Sequence, residues 1–106
     1  MRRQWSTSVL RRVRRLAVKR KIRFTLKAFQ ELGGLGMGLD ESDACDILAK
    51  LTPSDLVGRL VSERTGEWMY VFRPAVGGTV VYAKVVLRDD CVVISFHDEE
   101  DADEDE

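Results

Sequence analysis

The sequence predicts an α+β domain in which three N-terminal helices pack on one face of a four-stranded antiparallel meander sheet. Three observations carry that expectation. The apolar period changes from about 3.6 to 2 after "TPSD" at Thr52 to Asp55. The strand candidates beyond it are joined by the short turn-forming links "RTG", "PAVGG" and "RDD", which suit antiparallel neighbours. A chain of 106 residues fits one compact domain.

The first helix is read from Ser6, a suitable N-cap, through "STSVLRRVRRLAVKRK". Val9, Val13, Leu16 and Ala17 fall on one helical stripe with Leu10 beside it, and Arg11, Arg12, Arg14 and Arg15 cover the rest. A short extended piece around "IRF" follows. Thr25 can then cap a second helix, "LKAFQEL", which ends at the glycine cluster "GGLGMG". Asp40 with Asp43 three residues on gives a capping signal for a third helix, "ESDACDILAKL", with Ala44, Ile47, Leu48 and Leu51 at helical spacing.

Four strands are expected, at Leu56 to Ser62, Glu67 to Arg73, Thr79 to Leu87 and Cys91 to Phe96. Alternation in the third puts Val81, Ala83, Val85 and Leu87 on the core face and Tyr82, Lys84 and Val86 on the other. In the fourth, Val92, Ile94 and Phe96 are expected to cover the core, with Cys91, Val93, Ser95 and His97 opposite them. Helices followed by strands, with the helices on one face, complete the α+β reading.

The formal net charge of −1 conceals a division. Eleven Lys or Arg and no acid lie between Arg2 and Lys27, whereas residues 98–106 hold eight acids and no base. The first block suits a polyanion, and Arg11, Arg12, Arg14, Arg15 and Lys19 are the candidate RNA-binding residues. The second is expected to be a disordered acidic tail following a single domain over residues 1–97. A solvated helix face is the plainer account of the basic block, and pairing of arm with tail, within one chain or between copies in a homo-oligomer, is a further one. Trp5 is read as a packing residue or mobile end in preference to a base-stacking one.

Other classes find no support. Cys45 and Cys91 lack CxxC spacing and nearby histidines, so buried thiols rather than a zinc site are expected. The acids Asp40, Glu41, Asp43 and Asp46 suit a first helical turn better than a magnesium site, so no metal and no cofactor is expected. "GGLGMG" lacks the GK[ST] ending of a phosphate loop. No apolar run approaches the roughly 20 residues of a membrane span, and a cytoplasmic location is expected.

Alternation and strand ends leave Arg59, Arg73, Tyr82, Lys84 and His97 as a cationic, proton-donating set. Metal-free RNA cleavage needs a base for the 2′-hydroxyl, an acid for the departing 5′-oxygen and cations for the phosphorane. Each residue also has a plainer account: His97 as a solvated strand end, Tyr82 as a packing ring, Lys84 and Arg59 as surface charges.

Two stretches, "LGMGLDESDACDILAKLTPSDL" and "EWMYVFRPAVGGTVVYAKVVLRDDCVVISFH", settle the preference. In order and spacing, over roughly Leu35 to His97, the chain resembles the MqsR-type toxins of bacterial toxin–antitoxin systems. The resemblance implies a RelE-like fold, metal-independent cleavage of mRNA and a cognate antitoxin as partner. It matches the family's sheet tyrosine with Tyr82, and Lys84 lies two residues beyond. Three family positions differ here: a lysine is Gly58, with Arg59 adjacent, a glutamine is Met69, and a lysine after Ser-Phe is His97. On this basis His97 is the expected general acid or base, completed by Tyr82 and Lys84 with Arg59 or Arg73. A non-catalytic RNA-binding module that kept the fold is the alternative.

Overall fold

A computed structural model describes residues 4–101. Helix α1 spans Gln4–Val18 and buries Val9, Leu10, Val13, Leu16 and Ala17, the stripe that the sequence spacing lays out. It begins two residues before the expected cap, so Ser6 lies inside its first turn instead of preceding it. The helix ends in a paired turn: the Arg20 N–H donates to Ala17 O at 3.0 Å and the Lys21 N–H to Leu16 O at 2.8 Å. Arg20 takes the left-handed conformation, φ 59°, that this turn normally gives to glycine.

Strand β1, Ile22–Phe24, and helix α2, Leu26–Gly34, follow, with the Thr25 side chain accepting from the Ala28 N–H at 3.1 Å. Helix α3, Glu41–Ala49, opens on a reciprocal capping box. Asp40 Oδ1 accepts from the Asp43 N–H at 2.8 Å, and Asp43 Oδ2 from the Asp40 N–H at 2.9 Å. Both acids therefore serve the helix start. A 3-10 turn over Pro53–Asp55 leads into the sheet.

The remaining strands are β2, Leu56–Val61; β3, Trp68–Phe72; β4, Ala75–Val76; β5, Thr79–Leu87; and β6, Cys91–Asp98. The expected meander is present as the antiparallel path β2-β3-β5-β6, but the sheet has six strands and is mixed. Strand β1 adds to the far edge of β6 in parallel, from Ile22↔Cys91 to Phe24↔Val93. Three residues are too few to show a period, which is why "IRF" reads only as an extended piece. Backbone bonds on either side, Cys91 N–H to Lys21 O and Thr25 N–H to Val93 O, both 3.0 Å, lock it in place. Strand β4 pairs with β5 through a two-residue hairpin whose Gly77 and Gly78 have φ of 54° and 83°, as this tight turn requires.

The core lies between α1, α2 and α3 and one face of the sheet, where Phe72, Val81, Ala83, Val85, Cys91, Val93 and Phe96 are buried against them. Cys91 and Val93 reverse the expected facing in β6. The cause is a bulge: Lys84 pairs with Ser95 but Val85 with Val93, so Ile94 is an extra residue that shifts the phase. Beyond it Phe96 faces the core and Ser95 and His97 the second face, as alternation predicts. Val92 and Ile94, expected in the core, are not in this cluster. The sheet also continues past Phe96: β6 ends at Asp98, and the Glu99 N–H donates to Val80 O at 2.9 Å. Residues 102–106 of the acidic block lie outside the described residues.

Candidate functional site

The second face of the sheet is built by β5 and its neighbours in register. Tyr82 pairs with His97, Lys84 with Ser95 on one side and Val71 on the other, and Val86 with Met69 and Val92. In β2, Gly58 stands opposite Val71. The four positions Gly58, Met69, Tyr82 and His97 thus share one face although they come from four different strands.

Three of the expected side chains converge there. The rings of Tyr82 and His97 stack with centroids 5.2 Å apart and planes 19° from parallel. Lys84 Nζ lies 6.0 Å from the centre of the Tyr82 ring. His97 is not a solvated strand end, since it is 7 % exposed and Lys84 only 1 %. The His97 Nδ1–H donates to Asp98 O at 2.7 Å; a carbonyl can only accept, so the neutral imidazole carries its proton on Nδ1 and its lone pair on Nε2. No buried side-chain nitrogen or oxygen among the described residues lacks a hydrogen-bond partner.

Arg73 follows β3 at the edge of this group, beside a cavity of about 430 Å³ shared with Val80 and Glu99. Its guanidinium is held by the Glu99 carboxylate through Nε at 2.9 Å and through Nη2 to both oxygens. Glu99 belongs to the acidic block, and sequence reading left it in the tail. Two further residues escaped that reading. Ser95 is fully buried beside Lys84, and Lys27 of α2 reaches across to donate to Ser95 Oγ at 3.2 Å and Ile94 O at 3.3 Å. The only hint was the Lys27 and Glu31 pair at i, i+4, whose ion pair closes at 3.1 Å.

Arg59 is not brought to the group. Leu56 pairs with Phe72 but Gly58 with Val71, so Val57 bulges out of β2 and inverts the alternation that follows. Arg59 then stands opposite Tyr70 on the helix side of the sheet, stacked between the Trp68 ring at 3.9 Å and the Trp5 ring at 4.5 Å. Trp5 in turn packs on Tyr70, with centroids 5.8 Å apart. Of the two readings of Trp5, the packing one fits this geometry.

The basic helix also lies on that side, because its buried stripe covers the core face. Arg11, Arg14 and Arg15 rim a cleft of about 550 Å³ with Ala49, Pro53 and Leu56. Lys19 is exposed, and Arg12 donates to Arg88 O. The helix cations and the Tyr82 row therefore face opposite directions. Elsewhere fixed ion pairs hold loops: Glu67 with Arg88 at 2.8 Å and Arg23 with Asp90 at 3.0 Å, each arginine drawing its carboxylate partner's pKa below the usual range. Cys45 and Cys91 are buried free thiols. Among the described residues no group of three His, Cys, Asp or Glu is placed to hold a metal ion, and no helix is long and apolar enough to cross a membrane.

No curated protein matches the chain closely enough to set it beside a particular relative. A family model, described as motility quorum-sensing regulator, toxin of MqsA, matches residues 6–98. That span takes in α1 from Ser6 onward, the other two helices, the whole sheet and every residue of the Tyr82 and His97 row. Matched over most of its length, the chain belongs to the MqsR family of toxins from toxin–antitoxin systems.

Proposed function

We propose that the chain is a metal-independent endoribonuclease that cuts mRNA by attack of the 2′-hydroxyl on the adjacent phosphorus. The observation that carries this is the stacked pair of Tyr82 and His97 with Lys84 beside it. His97 Nε2 takes the 2′-hydroxyl proton as the new O–P bond forms. The Tyr82 hydroxyl gives its proton to the 5′-oxygen as the old O–P bond breaks, leaving a 2′,3′-cyclic phosphate and a 5′-hydroxyl. Lys84 and Arg73 stabilise the charge that builds on the phosphorane. The RNA supplies its own nucleophile, so the protein has to position groups and move protons only.

The antitoxin is a natural second partner. Strand β2 is an edge of the sheet, and its Val57, Leu60 and Val61 are about half exposed. An exposed edge strand carrying apolar side chains suits an added strand from another protein.

Purified protein incubated with end-labelled RNA in EDTA tests the enzymatic reading. Cleavage is expected, falling on the order of 100-fold or more in His97→Ala and Tyr82→Phe. A folded His97→Ala protein that cuts at the parental rate removes the proposed role. Binding without fragments from the parent favours the rival, a non-catalytic RNA-binding module. Gly58 and Met69 at family functional positions, and the burial of Lys84, are the features that favour it.

A further inference from the structure

Beyond Lys84 the second face sinks into a cavity of about 260 Å³ that the proposed cleavage step does not use. Met69 and Val86, cross-strand partners and both almost wholly buried, form its floor, with Ile94 at the side. Lys27, Arg64 and Arg88 stand around it. The cations are unequal. Arg88 is committed to Glu67 and Lys27 to Glu31, whereas Arg64, exposed in the β2–β3 turn, has no carboxylate partner among the described residues.

Its position relative to the Tyr82 row is fixed by one strand. Val86 lies four residues from Tyr82 on the same face of β5, which places the floor about 13 Å from the stacked rings. The bonds from Lys27 to Ser95 and Ile94 tie the cavity wall to the cross-strand partner of Lys84. Tyr82, Lys84 and Val86 therefore form one track, with a cation at each end of it, Arg73 and Arg64.

The chemistry of the walls selects a ligand class. Met69, Val86 and Ile94 offer dispersion contact to a flat aromatic face, while the polar groups beside them are already engaged, the Thr25, Ser62 and Thr65 oxygens accepting from backbone N–H groups and Glu67 from Arg88, which suits a nucleobase held by its face. A guanidinium without an acid partner suits a phosphate. The volume is below the roughly 300 Å³ of sites that enclose drug-sized ligands, so it admits a single nucleotide unit.

The geometry points to a nucleotide subsite: the cavity floored by Met69 and Val86 takes one base of the RNA strand engaged by Tyr82 and His97, and Arg64 takes its phosphate. The inference rests on the reading of the second face as an RNA surface. It adds that substrate length beyond the scissile linkage contributes affinity, and that Arg64 supplies much of it.

A 2′-O-methyl hexanucleotide, which cannot undergo 2′-attack, reads binding apart from cleavage. On saturation it is expected to shift the methyl resonance of Met69 in protein labelled at methionine methyls, with the signal of Met37 as the reference. By fluorescence anisotropy Arg64→Glu should weaken the hexanucleotide about tenfold, while a dinucleotide binds parent and variant alike. A Met69 methyl that stays in place at saturation overturns the subsite, as does an equal advantage of the longer ligand in both proteins. The methyl measurement needs no substitution, so it stands even if the variant folds poorly. A parent that binds the hexanucleotide without cutting RNA removes the enzymatic reading alone; a parent that cuts RNA without binding it removes the subsite alone.

Discussion

Tyr82 and His97 face each other across β5 and β6 as a register pair, and the aromatic planes lie 19° from parallel. A stacked imidazole has its ring orientation set by packing as well as by the Nδ1 bond to Asp98 O. The pair should thus resist reorientation when single groups are changed. Tyr82→Phe keeps the ring and its stack on His97 and removes only the hydroxyl, so its loss of cleavage should far exceed any loss of stability in urea. In His97→Lys an ammonium replaces the imidazole and gives up its proton far less readily. Cleavage by that variant should move toward alkaline pH, and an unchanged pH–rate profile would remove His97 from proton transfer.

The Arg73 guanidinium is already occupied by a carboxylate, with side-chain exposures of 49 % and 30 % for Arg73 and Glu99. Any phosphate that reaches it must displace Glu99 first. Glu99→Gln should tighten RNA binding by up to about fivefold, since an exposed pair of this kind contributes at most about 1 kcal/mol. Anisotropy titrations at low salt read the difference, and equal affinities would mean that Arg73 does not touch RNA.

Glu67 is held down at about 2 from an ordinary 4.5, chiefly by hydrogen bonds from Arg88 and then from Thr65. Folding thus favours the ionised carboxyl. The stabilisation it brings is complete above about 4.5 and is lost as the pH falls toward about 2. Urea midpoints measured down through this window should decline less in Glu67→Gln than in the parent. Parallel declines would show that this carboxyl does not contribute.

Arg59 holds Trp5 of α1 and Trp68 of β3 against its two sides. Arg59→Ala should destabilise by about 1–2 kcal/mol, from two stacked contacts of roughly 0.5–1 kcal/mol each. Tryptophan emission should change in the folded state, and the rate of RNA cleavage at saturating substrate should not. A fall in that rate with stability intact would bring Arg59 into the reaction after all.

Burial pushes the Cys91 thiol up to about 12, and burial likewise raises Cys45. The thiolate is the reactive form, so neither cysteine should react quickly with a thiol reagent near pH 8. Both should label at once in urea. Fast labelling of Cys91 in the native protein would contradict its place in the core.

Much of this fold was legible where the sequence is locally consistent. The stripe of Val9, Val13, Leu16 and Ala17, the cap at Thr25, the box at Asp40 and Asp43 and the meander order each follow from a spacing that has one structural solution. Two misreadings share a single cause. A bulge adds one residue to one strand and leaves no mark in composition, yet it exchanges the two faces for every residue on one side of it. Val57 does this in β2 and sends Arg59 to the helix side; Ile94 does it in β6 and sends Cys91 and Val93 inward. The role of Glu99 was hidden differently, because a block of acids reads as solvated whether or not its first members meet an arginine.

Strand β6 lies between β1 from the start of the chain and β5, and it carries His97 near its end. Among the described residues, strand β1 has no neighbour in the sheet other than β6, so it can join only once β6 lies on β5. A chain cut short before β6 lacks at one stroke the joined edge and the imidazole on which the proposed chemistry depends.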